Sequence, residues 1–65
     1  MKPGERVELT LEKGDTPIAL RVVKDEADGW VAVTTEMEYE YARMQGRDPE
    51  PLVRVRSEQL QASDD

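Results

Sequence analysis

The sequence predicts a mainly β fold, a small and strongly bent antiparallel sheet of four or five strands wrapped into a partly open barrel. Three observations carry this. Apolar residues recur at every second position in several short runs, and the first two runs end in clusters of turn formers, residues 13–17 and 25–29. The third is length: 65 residues cannot supply a two-layer sandwich, whereas one bent sheet can bury its own alternating face.

Residues 5–12 alternate cleanly, with Val7, Leu9 and Leu11 on one side and Arg6, Glu8, Thr10 and Glu12 on the other. Pro3-Gly4 is the turn that launches this first strand. Lys13-Gly14-Asp15-Thr16-Pro17 is the next turn, with a proline that a ladder interior excludes. In the second strand Ile18, Leu20 and Val22 oppose Ala19, Arg21 and Val23. The acidic cluster that follows ends in Asp28-Gly29, a strong hairpin cue. A third strand runs over Trp30–Thr35, rich in β-branched residues, so the first three strands form a meander.

Residues 36–45 admit two readings. As a strand, Met37, Tyr39 and Tyr41 alternate with Glu36, Glu38 and Glu40. As a short helix, Thr35 is the N-cap, Glu38 completes a capping box, and Gly46 is the C-cap. Met37, Tyr41 and Met44 then share one face. After a loop stiffened by Pro49 and Pro51, residues 52–56 form a closing strand with Val53 and Val55 inward and Arg54 and Arg56 outward. Residues 57–60 are a short turn whose Leu60 plugs the barrel mouth. One domain, 1–65, is expected, with an ordered core of about 4–61 and a frayed tail at 62–65.

Composition excludes much chemistry. The chain has no Cys and no His, so disulfides, zinc-thiolate sites, the commonest general base and activated Ser57 or Ser63 nucleophiles are all absent. The glycines are isolated and form no phosphate-cradling loop. No cofactor and no metal are expected, and the chain reads as non-enzymatic. Nine basic against fifteen acidic residues leave a charge of −6, a field that repels polyanions and anionic membranes. The longest uncharged stretch, residues 29–35, is far too short to span a bilayer, and residues 1–4 carry no apolar signal core. Cytoplasmic residence is the expectation.

Val7-Glu8-Leu9-Thr10-Leu11-Glu12-Lys13-Gly14 resembles the opening strand and turn of SH3-like and Sm-like small barrels. Asp28-Gly29-Trp30-Val31-Ala32-Val33 resembles their second turn and strand, and Val53-Arg54-Val55-Arg56-Ser57 their closing strand. The resemblance implies an SH3-like architecture over most of residues 5–60. Sm-like proteins hold RNA bases with an Asn in the second turn and an Arg-Gly in the closing strand. This chain has Asp28-Gly29-Trp30 and Arg56-Ser57 at those places, a departure that counts against RNA binding.

The candidate partner-binding residues are Trp30, Glu36, Glu38, Tyr39, Glu40 and Tyr41. Aromatics beside a strand end serve as peptide anchors in small barrels, or else pack at the rim; glutamates capture a basic partner, or else complement a helix dipole. Asp25, Glu26 and Asp28 suggest a hard-cation loop, but the spacing fails the EF-hand register and a solvated hairpin tip fits better. Arg54 and Arg56 are the candidate nucleic-acid contacts, against the alternative of cross-strand pairing with glutamates. The leading expectation is a protein-interaction module or accessory subunit with an acidic surface and a protein partner, a basic one if these residues form one patch. The alternatives are a nucleic-acid-binding barrel using Arg54 and Arg56, and an acidic nucleic-acid mimic that occupies a basic protein site. Homo-oligomerisation is also open, because so small a core leaves little stability to spare.

Overall fold

In the computed structural model, which describes residues 1–12, 14 and 16–63, the four alternating runs form strands, residues 60–62 add a fifth that the sequence reading assigns to turn and tail, and the ambiguous segment forms a helix. The strands are β1 (Arg6–Leu9), β2 (Ile18–Asp25), β3 (Trp30–Thr35), β4 (Val53–Arg56) and β5 (Leu60–Ala62). The helix α1 (Glu36–Gln45) lies between β3 and β4. All pairings are antiparallel, in the order β4-β3-β2-β1-β5, and the sheet does not close, which leaves a partly open barrel with β4 and β5 as its edges.

Alternation decides which side chains meet inside. Val7, Leu9, Leu20, Val22, Val31, Val33, Val55 and Leu60 form one cluster, with Met1 packed against it. Register delivers them together, since Val7 pairs with Leu20, Val22 with Val33 and Val31 with Val55. The β2–β3 ladder slips between Val22 and Lys24, a bulge that increases local twist and helps the short sheet bend.

The opposite face is covered where α1 crosses β2 and β3. Ala42 of α1 is fully buried, and Ala32 and Thr34 of β3, which alternate with the core residues Val31 and Val33, are buried too. The Thr35 hydroxyl caps the helix by accepting from the Glu38 N–H at 3.0 Å. The reciprocal half of the expected capping box is missing. The Glu38 carboxylate instead takes the Arg47 guanidinium, at 2.7 and 3.3 Å, and the Glu50 N–H, at 3.1 Å. A charged fork is a stronger partner than the Thr35 amide. Gly46, at φ 69°, ends the helix and donates to Arg43 O, while Arg47 N–H reaches back to Ala42 O.

Several boundaries differ from the sequence reading. The first strand stops at Leu9, so Leu11 is exposed rather than in the core. Ile18 and Val53 keep the expected alternation, yet both, as the first residues of β2 and β4, are exposed. Strand pairing runs one residue past the expected core end at 61: Gln61 and Ala62 pair with Glu8 and Val7, and Ser63 N–H donates to Arg6 O. A first strand with unpaired groups on its far side gives this short segment somewhere to bond. Asp64 and Asp65, in the expected tail, and Lys13 and Asp15, in the first long turn, lie outside the described residues. Asp28-Gly29 does form the β2–β3 turn, with both residues at positive φ and Glu26 N–H donating to Trp30 O at 2.8 Å.

Candidate functional site

Helix α1 has three sides. One carries Ala42 and rests on the sheet. Glu36, Glu40 and Arg43 occupy a second, charged side. The third carries Met37, Tyr41 and Met44 at i, i+4 and i+7, and it is open: Met37 is 82% exposed, Met44 83% and Tyr41 55%. Beside it, Thr35, Met37, Glu38 and Tyr41 line a shallow groove of about 340 Å³. Two methionines and a tyrosine exposed together on one short helix are unusual, because singly exposed apolar residues are common but grouped ones mark contact surfaces.

The charged side is held from within. Arg21, on β2, is buried beneath α1 and donates through Nε and Nη2 to Glu36, at 2.5 and 3.1 Å, and through Nη1 to Gly4 O at 2.8 Å. Glu40 stands 3.5 Å from the same guanidinium and 3.6 Å from Arg43, and Arg6 adds a contact to Glu36 at 3.3 Å. The Arg21 hydrogen bond, the largest influence, holds the Glu36 carboxyl below its usual range. The Arg47 hydrogen bond does the same for Glu38, helped by the Glu50 N–H.

Tyr39 joins this network. The Arg21 guanidinium carbon lies 4.4 Å from its ring centroid, and its hydroxyl approaches Gly4. With Pro3, Gly4 and Pro49 it borders a groove of about 430 Å³. Tyr41 is instead solvent-facing, with the Arg47 guanidinium 5.8 Å from its ring.

Trp30 lies elsewhere. It opens β3, while the candidate glutamates follow the end of that strand, about 17 Å away along the chain direction. Its half-buried indole sits across from Arg56, and the guanidinium carbons of Arg56 and Arg54 are 4.9 and 5.5 Å from the ring. Arg54 bonds Glu26 at 2.5 Å, and Arg56 reaches Asp28 O at 3.3 Å and Glu58 at 4.0 Å. Asp25 is held at 2.6 Å by the Met1 ammonium.

The six candidate partner residues therefore fall into separate groups. Glu36, Tyr39 and Glu40 gather around Arg21, Glu38 and Tyr41 meet Arg47, and Trp30 stands with Arg54 and Arg56. The glutamates divide between two sides of α1 and do not run along one line. Sequence reasoning passed over Met37 and Met44 as an open surface and Arg21 as a buried organiser. The available signal was Ala42: a lone small residue, flanked on its helical face by Glu38 and Tyr39, permits close approach to a sheet and turns the methionines away. Among the described residues no helix is long and apolar enough to cross a membrane. No family model matches this chain, and neither a curated protein nor a solved structure matches it.

Proposed function

We propose that this chain is a non-enzymatic interaction module that docks on another protein through the open side of α1. The observation that supports the reading is the Met37–Tyr41–Met44 stripe, left uncovered on a helix that Arg21, Ala42 and the two caps hold firmly in place. Flexible methionines adapt to a partner's apolar side chains, and Tyr41 adds a rigid anchor with a polar tip. The complementary shape is an amphipathic helix, whose own i, i+4, i+7 residues fit beside such a stripe.

The test is a titration of isotope-labelled protein with an amphipathic helical peptide, followed by amide chemical shifts. Shifts confined to α1 and abolished by Met44→Lys are expected. Shifts that are absent, or that centre on Trp30, would remove this reading.

A second reading, nucleic-acid contact, is supported by the two guanidiniums lying over Trp30, a combination suited to stacking a base and meeting its phosphate. Glu26 and Glu58 compete for those guanidiniums, and the charge of −6 opposes a polyanion. A gel shift with single-stranded RNA and DNA at low salt decides it, since phosphate contacts are strongest there. Binding lost in Arg54→Ala and Arg56→Ala would favour this reading, and no binding would discard it.

A further inference from the structure

The β2 bulge does more than bend the sheet. Val22 pairs with Val33 on the core face, and unbroken alternation would send Lys24 inward after it. The slipped register pairs Lys24 with Ala32 instead, which carries its side chain to the α1 side of the sheet. There Lys24 lines the groove of about 430 Å³ together with Val23, Tyr39, Asp48 and the prolines Pro3 and Pro49. We infer that this groove binds a short zwitterionic peptide of two or three residues. Its carboxylate meets Lys24, its ammonium meets Asp48, and its apolar side chains rest on the prolines and Tyr39. The site lies apart from the Met37–Tyr41–Met44 stripe and does not depend on the reading of that stripe.

Charge selects the ligand. Every arginine of the chain has a carboxylate within 4.0 Å. Lys24 and Asp48 are different: among the described residues neither forms an ion pair, with another side chain or with each other across the groove. An unpaired cation and an unpaired carboxylate in one groove leave a place for an anion and a place for a cation. A free amino acid carries both charges on one carbon and cannot span two groups that do not reach each other. A peptide of two or three residues extends over about 7–11 Å and can. The volume falls within the roughly 300–1,000 Å³ of small-ligand sites. The walls are set in advance, because proline fixes its own backbone and the Arg21 guanidinium, 4.4 Å from the ring centroid, holds Tyr39. Lys24 and Asp48 are both exposed and screened, so binding is weak, with a dissociation constant on the order of 1 mM.

The probe is the tripeptide Ala-Leu-Ala, titrated into the isotope-labelled full chain at low salt beside its N-acetylated and C-amidated forms. Amide shifts are expected at Gly4, Lys24, Tyr39 and Asp48 and not at Met37 or Met44. Blocking either terminus should weaken binding about three- to fivefold. Lys24→Met should make the chain indifferent to amidation while acetylation still weakens binding, and Asp48→Asn should do the reverse. Both residues are exposed, so circular dichroism of both variants should match the parent. Absent shifts, or shifts at Met37 and Met44 alone, would overturn the site. Acetate that binds as tightly as the tripeptide, or blocked forms that lose equally in both variants, would overturn the zwitterion.

Discussion

The Arg21 guanidinium, buried between sheet and helix, binds the Glu36 carboxylate through two nitrogens and so ties the middle of β2 to the first residue of α1. The clamp matters because Ala42 is the one fully buried residue of α1, so the helix has only a small apolar contact with the sheet. Arg21→Ala is expected to cost about 2 kcal/mol in urea unfolding, because Gly4 O and Glu36 lose a charged donor together. A double-mutant cycle with Glu36→Ala should give a coupling of about 1 kcal/mol. Strict additivity would show that the two residues act independently.

Acid should loosen the same helix. Glu36 and Glu38 both titrate below the ordinary glutamate value of 4.5 in the folded chain. A depressed carboxyl adds stability that is present above the unfolded value and is lost as pH falls through the folded one. Arg21 and Arg47 are shifted upward by the same pairs, beyond the range in which they lose a proton near neutrality. Stability is therefore expected to fall as pH drops below about 4.5. Glu36→Gln and Glu38→Gln should each flatten that slope, and unchanged slopes would show that other carboxyls dominate.

Gly4 is the position where a backbone methyl has no room. It sits at φ 88°, and a Cβ there would stand 2.6 Å from the Tyr39 hydroxyl. Gly4→Ala is expected to destabilise by about 2 kcal/mol through strain and clash together. Tyr39→Phe in the same chain should recover part of that loss by removing the obstructing oxygen. Gly46, at φ 69° with open space around it, offers the contrast: Gly46→Ala carries the strain alone and should cost about 1 kcal/mol.

The core is so small that one cavity should matter greatly. Val33 is fully buried between Val22 and its β4 neighbours, and Val33→Ala is expected to cost about 2 kcal/mol. A domain of this size holds roughly 3–10 kcal/mol in total, so thermal denaturation should shift downward by many degrees. Met44→Ala, on the open side of α1, should change stability by less than about 0.5 kcal/mol. Equal effects from the two variants would mean that Met44 is packed rather than exposed.

Much of this molecule was legible in local chemistry. Val7 and Leu9, Leu20 and Val22, and Val31 and Val33 announce strands because alternation has period two whatever lies opposite. Thr35 and Gly46 mark the ends of α1 because caps satisfy backbone groups within a few residues. That local signal favoured the helix, although the Glu-Tyr alternation of residues 36–41 imitated a strand. Leu11 misled because nothing local reveals where a partner strand stops.

The sequence by itself determined four of the five strands, the turn at Asp28-Gly29, the helix caps and the excess of acid, since each depends on neighbours a few residues apart. By contrast, β5 exists only because β1 offers it a partner. Only the tertiary structure decided which charges are occupied and which apolar residues are left over. Arg21 meets Glu36 across fifteen positions and Arg54 meets Glu26 across twenty-eight, pairings set by the path of the sheet rather than by spacing. The same holds for Met37, Tyr41 and Met44: their periodicity gives a shared face, but whether that face looks inward depends on the side from which Ala42 lets the helix approach β3. Burial is a relation between distant segments, and no single stretch of chain contains it.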